Sequence, residues 1–71
     1  MEISERIRRW REAAGLDQFE LAEAMGLTRA AVYQWETGST TPTIVSLEKL
    51  VEVLGITMER FYGRAPRRKA S

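Results

Sequence analysis

The chain has no cysteine and no histidine. Without cysteine there is no disulfide framework and no thiolate metal site; without histidine the commonest metal ligand and the commonest general acid/base are gone. Proline is scarce, at two residues, so little interrupts helix formation. No apolar run approaches the roughly 18 residues that suggest a membrane span, and the N-terminus lacks the apolar core of a signal peptide. A soluble, cytoplasmic protein without membrane contact is expected. A net positive charge is also missing from most of the chain. Residues 1–63 hold seven basic and ten acidic side chains, a net −3, whereas residues 64–71 hold Arg64, Arg67, Arg68 and Lys69 with no acid, a net +4. The sequence therefore divides into a domain over 1–63 and a basic tail over 64–71, expected to be disordered. At 71 residues the core is thin, and stability must come from well-packed helices.

What is present is helical periodicity, and it is clearest from Asp17 to Glu36. Asp17 can cap a helix, and Glu20 three residues on completes capping-box spacing. Leu21, Ala22 and Met25 make an apolar stripe, and Gly26 stands where a helix ends in a left-handed residue. Leu27 can plug the turn. Thr28 caps a second helix over about 29–36, with Ala31, Val32 and Trp35 inward. Small Ala22 and Ala31 let the two helices approach. Arg29, Ala30, Tyr33 and Gln34 are left pointing outward, a composition suited to the DNA major groove.

The same reading extends in both directions. Ile3, Ile7, Trp10 and Ala14 give a first helix over 3–14, with Ser4 a possible cap. Gly15 closes it, and Leu16 is a core residue. Residues 37–42 form a loop by composition. Thr43 caps a helix over 44–54 with Ile44, Leu47, Leu50, Val51 and Leu54 inward; Thr57 caps a short last helix, 58–62. Phe19 either folds back over Trp10 or Leu16 or forms an exposed apolar patch. Nothing calls for a strand.

The helix–turn–helix stretch, together with Arg11, Gly15, Gln18, Leu21, Ala22, Gly26, Val32, Trp35-Glu36, Gly38, Pro42, Leu50 and Leu54-Gly55-Ile56, resembles the phage-repressor/Cro family, also called the Xre family. The resemblance covers about residues 3 to 62. It implies an all-α, compact five-helix, lambda-repressor-like DNA-binding domain with its helix-turn-helix at helices 2 and 3. It also implies an ion pair between Arg11 and Glu36, a phosphate contact from Gln18, and base-facing positions at Arg29, Ala30 and Gln34. Arg29 can donate two hydrogen bonds to guanine, Gln34 can pair with adenine, and Ala30 can touch only a thymine methyl. Thr28, Tyr33, Ser39 and Thr40 are candidates for the DNA backbone. Met58, Phe61 and Tyr62 are more apolar than so small a core needs, and by analogy with relatives they are candidates for a dimer surface, although Phe61 alone more naturally completes the core.

The expected function is a transcriptional regulator that binds double-stranded DNA as a homodimer at a palindromic operator, most naturally as a repressor, with no cofactor and no metal. The alternative is an antitoxin or other protein-interaction module that uses the same fold with a toxin or another protein partner. The net −3 of residues 1–63 and the absence of basic residues from 37–43 keep that alternative open. An enzyme is not expected, because no convergent carboxylate pair and no glycine-rich phosphate loop accompany the missing histidine and cysteine.

Overall fold

Four of the five helices begin at a side chain that accepts a backbone N–H from its own first turn. In the computed structural model, which describes residues 2–66, Asp17, Thr28, Thr43 and Thr57 accept from Glu20, Ala31, Ser46 and Arg60 respectively. These caps satisfy donors that the helix itself leaves open. They fix the starts of α2 (Gln18–Met25), α3 (Arg29–Thr37), α4 (Ile44–Leu54) and α5 (Met58–Tyr62), which follow α1 (Ile3–Ala13). Only α1 lacks such a bond. It starts after Glu2, with Ser4 already inside the helix. No strand forms among the described residues.

Each helix turns one stripe inward. Ile7 and Trp10 come from α1, Leu21 and Ala22 from α2, and Val32 and Trp35 from α3; Leu47, Leu50 and Val51 come from α4, and Phe61 from α5. Ala22 is buried between α2 and α3, the helix pair in most extensive contact, and α1 lies across α3. The small side chain allows that close approach, so the position of α3 depends on both earlier helices.

Three expectations about the core are corrected. Ile44 is 64% exposed and Val45 69% exposed, because the first turn of α4 projects past the core that Leu47 reaches three residues later. Ala14 is exposed as the residue that caps α1, beyond its buried stripe. Phe61, a candidate for a dimer surface, is 0% exposed. Its ring fills the core and meets Tyr62 edge-on at 5.2 Å, so it has no surface to offer a partner.

The last turn of α5 is clamped to the first helix. Arg6 Nη1 donates to the carbonyls of Phe61, at 3.1 Å, and of Gly63. Trp10 Nε1 donates to the same Phe61 carbonyl at 3.4 Å, while Arg60 lies over the Trp10 ring at 5.6 Å. Two carbonyls that no further helical turn would satisfy thus find donors on α1. The division expected at residue 63 falls at this clamp. Arg64, Ala65 and Pro66 are described; the remainder of the expected tail, residues 67–71, lies outside the described residues.

Candidate nucleic-acid interface

The turn between α2 and α3 sets the geometry of the exposed face. Gly26 has φ 71°, a left-handed conformation that costs a residue with a Cβ about 1–2 kcal/mol. In that conformation the Gly26 N–H reaches the Ala22 and Glu23 carbonyls, and the Leu27 N–H reaches the Ala22 carbonyl at 2.8 Å. The chain reverses in two residues, and Thr28 starts α3 at once. Leu27 remains partly exposed rather than sealed into the turn.

On α3, burial of Val32 and Trp35 leaves Arg29, Ala30, Tyr33 and Gln34 exposed on the opposite face. The structure therefore brings the three expected base-facing residues, Arg29, Ala30 and Gln34, onto one surface together with Tyr33. Thr28 stands at its edge, with its hydroxyl oxygen accepting from the Ala31 N–H at 3.2 Å.

Beside this face, an open depression of about 390 Å³ is lined by Arg11, Asp17, Gln18, Phe19 and Arg29. Asp17 is occupied within its own helix: its carboxylate accepts from the Glu20 N–H at 2.7 Å while Glu20 accepts from the Asp17 N–H at 2.9 Å. Of the other polar groups, the Arg11 guanidinium is committed to Glu36 and Leu16, which leaves the Arg29 guanidinium and the Gln18 amide with donor capacity to spare. A surface of that kind hydrogen-bonds an oxyanion such as phosphate. Phe19 is 57% exposed, which settles its two expected placements in favour of the surface.

Behind the depression lies a network that ties three helices together. Arg11 Nε and Nη2 donate to the two oxygens of Glu36 at 2.7 and 2.9 Å, and Arg11 Nη1 donates to the Leu16 carbonyl at 2.9 Å. The Glu36 side chain is only 3% exposed. Its hydrogen bond to Arg11 raises the guanidinium pKa, outweighing the opposing effect of burial. Gln18 Nε2 adds a third donor to Glu36, at 3.1 Å. This bond was not legible in the sequence, where Gln18 carried only a phosphate role. An amide nitrogen carries two hydrogens, so this bond leaves Gln18 one further donor.

The loop after α3 is closed on itself. The Thr37 hydroxyl donates to the Gln34 carbonyl at 3.3 Å and meets the Ser39 hydroxyl at 3.1 Å, and the Thr40 N–H reaches the Gln34 carbonyl at 3.2 Å. Ser39 and Thr40 are exposed beside the end of α3. The arginines of α1 are mostly occupied: Arg8 and Arg9 face Glu5 at 3.6 and 3.2 Å, and Arg6 holds α5. Of the dimer candidates, Met58 is half-buried against the core and Tyr62 is half-exposed. Among the described residues no cluster of acids has the arrangement of a metal site, and no helix is long and apolar enough to cross a membrane.

The sequence and the fold both have known relatives. The Helix-turn-helix family pattern covers residues 7–61. The chain is 35% identical over 57 residues to the HTH-type transcriptional regulator PuuR of Escherichia coli, a match that covers 80% of this chain and 31% of that protein. It is 30% identical over 64 residues to the cryptic phage CTXphi transcriptional repressor RstR of Vibrio cholerae, covering 90% of this chain and 57% of that one. The chain thus spans about a third of the first relative and somewhat over half of the second. Among solved structures, the biofilm regulator SinR in complex with DNA superposes with a TM-score of 0.77 at 31% identity, covering 84% of this chain and 97% of that one. The DNA-binding domain of the P22 c2 repressor superposes with a TM-score of 0.80 at 28% identity, covering 86% and 80%.

Proposed function

The chain belongs to the Helix-turn-helix family, in its phage-repressor-like form, and on that premise we propose that it is a sequence-specific regulator that inserts α3 into the major groove of an operator. One observation carries the reading. Arg29 and Gln34 are exposed on the face of α3 opposite buried Val32 and Trp35, beside the donor-lined depression at the start of α2. In this reading Arg29 takes guanine, Gln34 takes adenine or a neighbouring base edge, and Ala30 meets a methyl group. Gln18, Thr28, Ser39 and Thr40 position the duplex through its phosphates. Arg11 and Glu36 hold α1 to the end of α3 and do not read DNA.

The protein acts where its DNA is, in the cytoplasm, and as a repressor where its operator overlaps a promoter. One recognition helix reads only a few base pairs, so two copies bind a symmetric site with half-sites about 34 Å apart. With Phe61 in the core, Met58 and Tyr62 remain as the contribution of α5 to that dimer. The basic tail over 64–71 adds phosphate contacts outside the domain. The regulator relatives lend no support to the antitoxin alternative, and the DNA-binding family gives no reason to assign catalysis.

Selection of bound duplexes from a random library tests the reading. Enrichment of inverted half-sites one helical turn apart is expected. Single unpaired half-sites would rule out the dimer, and no enrichment would rule out sequence-specific binding.

A further inference from the structure

The inference here rests on the DNA-reading proposal and deepens it by naming a chemical group that the start of α3 selects. Arg29, Ala30 and Tyr33 line a second open depression, of about 310 Å³, whose wall is predominantly apolar. Residues three and four apart are neighbours on a helix surface, which places Tyr33 beside both Ala30 and Arg29. Arg29 also borders the polar depression with Arg11 and Gln18. It therefore stands between a polar surface and a mostly apolar notch that it shares with Ala30 and Tyr33.

Base edges in the major groove consist of hydrogen-bonding groups with one apolar exception in unmodified DNA, the 5-methyl group of thymine. An apolar notch cannot pair the amino group of cytosine or adenine, or the carbonyl of guanine, and burying such a group unpaired is unfavourable. A thymine methyl has no such requirement and fits a wall of carbon. We propose that Arg29, Ala30 and Tyr33 form a thymine-methyl notch, and that the thymine it selects lies next to the base addressed by the Arg29 guanidinium. Tyr33 is then a specificity residue whose ring faces a base, rather than a contact to the sugar-phosphate backbone. The preferred half-site contains a thymine–guanine step.

Deoxyuridine tests this without altering the protein, because it removes the methyl group and keeps every hydrogen-bonding group of thymine. Each thymine of a selected duplex is replaced singly, and affinity is measured for the full chain and for Tyr33→Ala. Tyr33 is 54% exposed, so the substitution spares the core. Wild type is expected to lose about fourfold at one thymine per half-site, the factor for removing one methyl-sized apolar contact. The Tyr33→Ala protein should bind more weakly and lose nothing more at that position. Silent replacement at every thymine, with the selected site still preferred over scrambled DNA, would overturn the notch and leave the DNA-reading proposal standing. An equal loss in wild type and Tyr33→Ala would also overturn it, because the methyl group would then be read elsewhere. Absence of any sequence preference would remove both proposals together.

Discussion

Arg11 grips Glu36 through two parallel hydrogen bonds of 2.7 and 2.9 Å, joining the first helix to the end of the third across 25 positions of sequence. With so little of the Glu36 side chain open to solvent, removal of the guanidinium would leave a carboxylate without its charge partner. Arg11→Ala should therefore lower folding stability by about 3–5 kcal/mol. Arg11→Lys should recover only part, because an ammonium cannot span both carboxylate oxygens and also reach the Leu16 carbonyl. Urea unfolding of the three proteins gives the comparison.

The pH dependence of that loss follows from the direction of the Arg11 shift. Its pKa is raised by the hydrogen bond to Glu36. A cation stabilised by folding contributes fully below its unfolded pKa, and the contribution disappears only as pH rises through the higher folded value. For arginine both values are strongly alkaline. The Arg11 side of the pair should thus give a stability deficit in Arg11→Ala that does not shrink between neutral and moderately alkaline pH. Unfolding midpoints measured across that range check it.

Gly26 gives a local test of the turn. Apart from its two chain neighbours, nothing lies within 4 Å of where a Cβ would stand, so backbone strain is what opposes a side chain. Gly26→Ala should cost about 1–2 kcal/mol, and Gly26→Asn less, because asparagine tolerates the left-handed region. Thermal unfolding measures both. A much larger loss in either would mean that the turn is crowded rather than merely left-handed.

Arg29 and Gln18 should fail differently on DNA. Arg29→Ala is expected to cost about 1–3 kcal/mol at one preferred base and to flatten preference there. Gln18→Ala should weaken binding to selected and scrambled duplexes in similar proportion. Competition titrations on a set of single-base variants separate the two patterns.

The last cations can be tested through salt. Replacing Arg67, Arg68 and Lys69 by glutamine keeps the chain length and leaves the Arg6–Gly63 contact in place. Each of these cations that neutralises a phosphate contributes about 0.9 to the slope of log affinity against log salt, so the slope should become shallower by up to about 2.7. Sequence preference should not change. An unchanged slope would show that these charges do not meet DNA.

How much of this was legible in the sequence follows from which signals are local. Asp17 with Glu20, Thr28, Thr43 and Thr57 act within one turn of their own helices, so the starts of four helices could be read directly. Gly26 marked the turn for the same reason. The outward face of α3 was legible because Val32 and Trp35 fix which side is buried. Periodicity was weakest at helix ends: Ile44 and Ala14 fit the phase of a stripe, but the stripe had already passed the edge of the core. Contacts across the chain left no spacing pattern, and the Arg11–Glu36 pair was expected only through the family resemblance. The bond from Gln18 to Glu36 spans 18 positions and that from Arg6 to Phe61 spans 55, and no spacing rule connects them. Phe61 could be read as surplus apolar surface or as core, because its neighbours Met58 and Tyr62 share its character, and only packing separates the buried ring from the exposed one.

The clamp that Arg6 and Trp10 place on the Phe61 carbonyl also bears on how the chain is made. The donors lie in α1 and their acceptor in α5, so during N-to-C synthesis α1 emerges long before α5 exists to receive it. Until Phe61 leaves the ribosome, the Trp10 indole N–H has no carbonyl partner and the core lacks its largest fully buried side chain. Helices α2 and α3, whose contacts are near in sequence, have no such wait. Completion of this five-helix core is thus tied to release of α5, and a nascent chain stalled before Phe61 would hold α3 on an incomplete support.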